Sequence, residues 1–101
     1  MIKVSVLYPN EEGKKFDMSY YCSKHIPMCQ EKLGCKQVAV EQGVAGAAPG
    51  IPAPYLAMGH LYFDSLEAFQ NAFGAHAAAI MGDIPNYTDI QPTIQISEVK
   101  V

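Results

Sequence analysis

The chain has no tryptophan, three cysteines and only 17% charged residues in a length of 101, and each shortage closes off a class of protein. No apolar run approaches the ~20 residues that a membrane-spanning helix needs, so no membrane partner is expected. Seven basic residues are scattered from Lys3 to Lys100 under a net charge of −3. That leaves no cationic stripe for a phosphate backbone, and nucleic acid drops out as a ligand. Met1 leads directly into a strand pattern rather than a signal-peptide core, which predicts a cytoplasmic protein. The odd cysteine count fits no disulfide framework. Cys22 and Cys29 fall on one predicted helix, ~10 Å apart along its axis. That is too far for a disulfide or for shared zinc ligation. Reduced, mostly buried thiols are expected.

Chemical signatures are equally sparse. There is no nucleophile elbow, no pair of catalytic carboxylates and no metal-ligand spacing, so hydrolases and dehydrogenases recede and no metal or cofactor is expected. Gly43-Val44-Ala45-Gly46 lacks the third glycine of a nucleotide loop and opens no helix. Asn86-Tyr87-Thr88 matches a glycosylation acceptor, but without a secretion signal it reads as loop composition.

What is present is a regular alternation of patterns. Ile2, Val4, Val6 and Tyr8 alternate with Lys3, Ser5 and Leu7 until Pro9-Asn10, a first strand. Asp17 can cap a helix that runs to about Leu33, where Gly34 stops it. Its apolar stripe is Met18, Cys22, Ile26, Cys29 and Leu33. Pro27 deprives the Ser23 carbonyl of its usual donor and predicts a kink or an early end near His25. Cys35 to Gly43 is a second strand, and Val44 to Pro54 a long loop of the kind that often flanks a binding site. Tyr55 to Phe63 is a third strand. Asp64 and Glu67 form a capping box for a second helix with the stripe Leu66, Phe69, Phe73, Ala77 and Ile80. Gly82 to Asn86 ends it, and Thr93 to Val99 is the last strand.

Strand, helix, strand, strand, helix, strand is the ferredoxin-like βαββαβ order, an α+β fold. One domain over residues 1–101 is predicted, an antiparallel four-stranded sheet with both helices on one face. On the third strand Ala57, Gly59, Leu61 and Phe63 should point to the helices. Leu56, Met58, His60 and Tyr62 should then lie on a bare face, which a second copy of the chain would cover.

Tyr21 and His25, four apart on the first helix, share a face and form a possible proton-transfer pair. A packing histidine at the edge of the stripe would carry the same pattern. His60 and Tyr62, with Met58 and Tyr8, are candidates for the wall of a largely apolar ligand pocket, His60 and Tyr62 equally for a dimer interface. His76 on the second helix is a weaker candidate, as a haem ligand.

These fragments together resemble the EthD family. The resemblance lies in Val4-Ser5-Val6-Leu7-Tyr8-Pro9, Phe16-Asp17-Met18, Tyr20-Tyr21 and His25-Ile26-Pro27. It continues in Leu61-Tyr62-Phe63-Asp64-Ser65-Leu66-Glu67-Ala68-Phe69 and Asp83-Ile84-Pro85-Asn86-Tyr87-Thr88, and so covers nearly the whole chain. It implies the dimeric α/β-barrel superfamily, in which two ferredoxin-like protomers join their sheets into a barrel. The family is named from ethyl tert-butyl ether degradation, where a member accompanies a cytochrome P450 system, and most members have no assigned reaction. Similar folds include cofactor-free monooxygenases, lactone isomerases, polyketide cyclases and haem-dependent enzymes. The haem-degrading relatives use a tryptophan near the haem, which this chain lacks. Only His25 matches a motif position with acid or base chemistry.

The expected function is therefore a homodimer that binds a small apolar organic molecule. If it is an enzyme, the reaction would be cofactor-independent oxygenation, isomerisation or proton transfer, with His25 as acid or base beside Tyr21. The alternatives are a non-catalytic accessory or stress-related binding protein and, further off, a haem protein using His76.

Overall fold

The alternating N-terminal run forms β1, Ile2–Pro9, in a computed structural model that describes residues 1–101. Asp17 caps the first helix as its side chain predicts, accepting from the Tyr20 amide at 3.0 Å. That helix is not uniform. It starts as one α turn (α1, Met18–Tyr20), widens into a π-helical turn over Tyr21–His25 and resumes as α2, Ile26–Leu33. Gly34 then stops it in the left-handed conformation, φ 63° and ψ 33°.

The π turn is what the chain does in place of the kink or early end predicted at Pro27. The Ile26 amide reaches back to the Tyr21 carbonyl, five residues away, so the register slips by one residue just before the proline that cannot donate. The slip rotates the inward stripe. Tyr21, His25, Ile26, Cys29 and Leu33 are buried, whereas Cys22, expected on the stripe, is exposed. Of the three thiols only Cys29 is buried and Cys35 is half-buried, so the expectation of mostly buried cysteines holds for those two alone.

The remaining elements are β2 (Gln37–Gln42), β3 (Tyr55–Phe63), α3 (Leu66–Asp83), a 3-10 turn (Ile84–Asn86) and β4 (Thr93–Glu98). The cap of α3 is Ser65, not Asp64: its hydroxyl accepts from the Ala68 amide at 3.1 Å. Asp64 instead meets exposed Lys36 at 3.4 Å. Phe69 and Ile80 are buried on α3, while Leu66, placed on the stripe by its spacing, is exposed.

The sheet order is β2-β3-β1-β4, antiparallel throughout. Register puts Val4 opposite Leu61 and Ile96, and Val6 opposite Gly59 and Ile94. The side facing the helices thus carries one layer of side chains drawn from all four strands. Two clusters fill it. Val4, Cys29, Leu33, Leu61, Phe63, Phe69 and Ile80 form one; Tyr8, Tyr21, Ile26, Ala57, Tyr87 and Ile90 form the other.

The barrel implied by the family resemblance is not what the sheet forms. β2 and β4 are its two free edges and do not pair with one another, so the sheet stays open. Closure has a geometric requirement that four strands do not meet, since a barrel interior wide enough for side chains takes about eight. No helix is long and apolar enough to cross a membrane.

Candidate functional site

The helices do not cover the whole inner face of the sheet. Between α3, α2 and the β1/β4 half lies a cavity of about 220 Å³, walled by Val4, Val6, Leu61, Phe69, Phe73 and Ile80 among others. The lining residues that are also exposed are Met81 and Ile94, which places the mouth between the C-terminal end of α3 and β4. The polar-capable side chains at the wall are Tyr8, Tyr21 and His25, with the Cys29 thiol.

Tyr8 and Tyr21 belong to an aromatic cluster completed by Phe16 and Tyr87. Ring centroids lie 4.9 Å apart for Tyr8 and Phe16, 5.1 Å for Phe16 and Tyr21, and 5.1 Å for Tyr21 and Tyr87. The hydroxyls of Tyr8 and Tyr87 share a hydrogen bond of 2.6 Å. Burial pushes the Tyr8, Tyr21 and Tyr87 phenols well above their ordinary pKa, because an anion there would lose its hydration. They remain neutral donors at any physiological pH. Burial also raises the Cys29 thiol to about 12, with help from Cys35, so Cys29 packs as a thiol and is no nucleophile at neutral pH.

His25 stacks on Tyr21 at 5.7 Å and tilts against Tyr87 at 4.7 Å. Its Nδ1 lies 2.9 Å from Oδ2 of Asp83, the last residue of α3. The same carboxylate accepts from the Tyr20 hydroxyl at 2.7 Å and the Asn86 amide at 2.9 Å, both at Oδ1. Partial burial acts to raise the Asp83 pKa, but the bonds from Asn86, His25 and Tyr20 outweigh it and hold the carboxyl below its ordinary value. An ionised carboxylate only accepts, so the bond to it places a proton on Nδ1. Nε2 of His25 has no hydrogen-bond partner; since no fully enclosed side-chain nitrogen or oxygen is left unpaired, that atom keeps accessible surface, and His25 lines the cavity.

Of the residues singled out by sequence, Tyr21, His25 and Tyr8 come together at this wall. Met58, His60 and Tyr62 do not join them, because alternation along β3 sets them on the opposite face of the sheet. There His60 has both nitrogens occupied, Nδ1 by the Ser5 hydroxyl at 2.9 Å and Nε2 by Glu41 at 3.2 Å. Serine, histidine and carboxylate stand in the order of a nucleophilic triad. Ser5, however, sits on a strand hydrogen-bonded on both sides, with no free backbone amide to stabilise an oxyanion.

His76 is half-buried on α3 and is not part of the cavity wall, so an axial ligand from that position would lie outside it. No three His, Cys, Asp or Glu side chains converge as metal ligands would. The long loop before β3, expected near a binding site, contributes nothing to the cavity lining. Thr88 is 2% exposed and donates to the Lys15 carbonyl, so the third residue of the sequon is built into the core, while Asn86 is exposed and bonded to Asp83.

The residues around His25 that sequence reasoning did not single out as candidates are Asp83, Tyr20, Asn86 and Tyr87. Asp83 and Asn86 read as helix-ending residues, which they are. No local signal links Asp83 to a histidine 58 positions earlier.

The fold and site define a ferredoxin-like α+β protein with an apolar cavity and one carboxylate-paired histidine at its wall. The EthD domain model matches residues 11–91, and the chain belongs to the EthD family. A solved structure of an EthD-like protein from Ralstonia eutropha JMP134 is 51% identical, with a TM-score of 0.96 over 99% of this chain and 92% of that one. A second, an EthD-family protein from Bacillus halodurans C-125, is 22% identical with a TM-score of 0.68 over 99% of both chains, a likeness of fold. An uncharacterised 11.0 kDa protein of the thcB-thcC intergenic region of Rhodococcus erythropolis is 30% identical over 91 residues, 86% of this chain and 84% of its own length.

Proposed function

We propose that this protein binds a small, largely apolar organic molecule in the cavity between sheet and helices, with His25 acting on it as acid or base and Tyr8 and Tyr21 orienting it. The observation that carries this reading is His25 itself, an imidazole with one nitrogen tied to Asp83 and the other without a partner, on a residue that lines an otherwise apolar cavity. Such a combination of apolar wall and few convergent polar groups is the usual make-up of a small-molecule site. Ile94 stands at the mouth, and the chain has no tryptophan, so Ile94→Trp gives a single reporter. Titration with bicyclic aromatic ketones and lactones is expected to change its emission saturably. A flat response to the whole panel would defeat the proposal.

The same reading makes the protein a cytoplasmic homodimer whose open sheet faces meet. Leu7, Met58 and Tyr62 are half-buried on that face, whereas Leu56, expected there by alternation, lies at a register shift of the β1/β3 ladder and packs against the helix-side cluster of Tyr8, Tyr21 and Tyr87. The accessible surface of 6149 Å² also exceeds the roughly 5,600 Å² typical of a monomer of 11.0 kDa. Sedimentation should return about twice the chain mass, and Met58→Lys should return the chain mass. A wild-type monomer would count against the dimer.

A further inference from the structure

We infer that Asp83 is a positioning residue that sets His25 as a base: it holds the imidazole proton on Nδ1, keeps Nε2 unprotonated at the cavity wall, and so suits the site to a ligand with an acidic C–H or O–H hydrogen. The inference rests on the cavity reading given above and adds a direction to it.

Three donors on one carboxylate are the first ground. His25, Tyr20 and Asn86 converge on Asp83 from the first helix and from the 3-10 turn that follows α3. The second ground is where Asp83 sits. As the last residue of α3 it stands at the negative end of the helix dipole, where a cation is the favoured occupant. A carboxylate held there against the dipole, by groups drawn from 58 and 63 positions away, is fixed by its partners and not by its own helix. Third, the titratable groups facing His25 are Asp83 from α3, Tyr21 from its own helix and Tyr87 from the loop before β4. Both phenols are neutral, so Asp83 is the charge that His25 feels.

The chemistry that follows is redox-neutral. Nε2 takes a proton from the ligand: the C–H or O–H bond breaks, its electron pair stays on the ligand as an enolate-type anion, and an N–H bond forms. The Asp83 charge stabilises the imidazolium. The abstracted hydrogen on Nε2 exchanges with solvent, and delivery of the resulting proton from Nε2 to the enolate, at the original or a neighbouring carbon, restores neutral His25 with no electron gained or lost.

The test uses tetralone, a bicyclic ketone with acidic hydrogens beside its carbonyl. Wild-type protein in heavy water is expected to exchange those hydrogens for deuterium above the buffer rate, saturably, as followed by NMR. Asp83→Asn should slow exchange at least about tenfold and shift the imidazole nitrogen signals of His25 toward the Nε2–H tautomer. Tyr20→Phe should move both in the same direction by less. A merely structural pair would leave exchange at the buffer rate in wild type and variant alike. The wild-type tautomer needs no variant, and an Nε2–H form would overturn the inference by itself. Tetralone seen to bind by the Ile94→Trp reporter, yet exchanging only at the buffer rate, would also sink it while leaving the cavity reading in place. Absence of binding would remove both.

Discussion

Gly59 on β3 is where the sheet and the first helix come closest. A methyl group built there would collide with the Tyr21 hydroxyl, and Tyr21 is 1% exposed among Tyr8, Phe16 and Tyr87, so its ring has nowhere to swing. Gly59→Ala should therefore cost about 1–3 kcal/mol in chemical denaturation, the usual penalty for overpacking. Tyr21→Phe in the same background should recover most of that loss by removing the clashing oxygen. A double variant no more stable than Gly59→Ala would place the strain elsewhere. Sequence carries part of this arrangement. Alternation along β3 puts Gly59 on the helix side, and four-residue spacing joins Tyr21 to His25, since both rules are local. That the glycine seats a phenol, or that Asp83 completes the histidine, depends on how elements far apart in the chain are docked.

Among the elements, α3 and the first helix were readable to different depths. The start of α3 shows a one-residue ambiguity: Asp64 and Ser65 are both good caps, and only the backbone geometry decides between them. Ser65 has the extended φ of −149° and ψ of 162° and the bond to Ala68, so Ser65→Ala should cost about 1 kcal/mol in thermal or chemical unfolding. Asp64→Ala removes only an exposed pair with Lys36 and should fall within about 0.5 kcal/mol of wild type. Equal effects of the two would reverse this assignment. In the first helix, Pro27 announced an irregularity that pattern reading could see, but three outcomes satisfy it: a kink, an end or a widened turn. The π turn prevails here because it alone keeps the chain helical while bringing Tyr21, His25, Cys29 and Leu33 to the core. A one-residue slip of this kind is invisible to a periodicity count, which assumes an even pitch.

For the molecule as a whole, βαββαβ order and the two sheet faces followed from alternation and handedness, whereas the open edges of the sheet did not, because the barrel was borrowed from relatives. The same sheet sets the response to alkali. Three of the six tyrosines, Tyr8, Tyr21 and Tyr87, lie in one buried cluster, and burial raises each phenol above its ordinary value of 10. A group whose pKa is raised on folding contributes its full stability below the unfolded value and loses it as pH climbs toward the folded one. Above pH 10 the unfolded chain ionises at all three positions while the native one does not. Stability then falls by up to about 1.4 kcal/mol per pH unit for each phenol, or about 4 for the three together. Against the 5–15 kcal/mol typical of a domain, that brings unfolding within about one to four units of pH 10. Absorbance of tyrosinate and far-ultraviolet circular dichroism, followed in one alkaline titration, should show half of the tyrosinate signal arriving together with the loss of helix. Ionisation of all six phenols while the helical signal stays intact would mean that the cluster admits water, and the cavity beside it would then have to be regarded as wet.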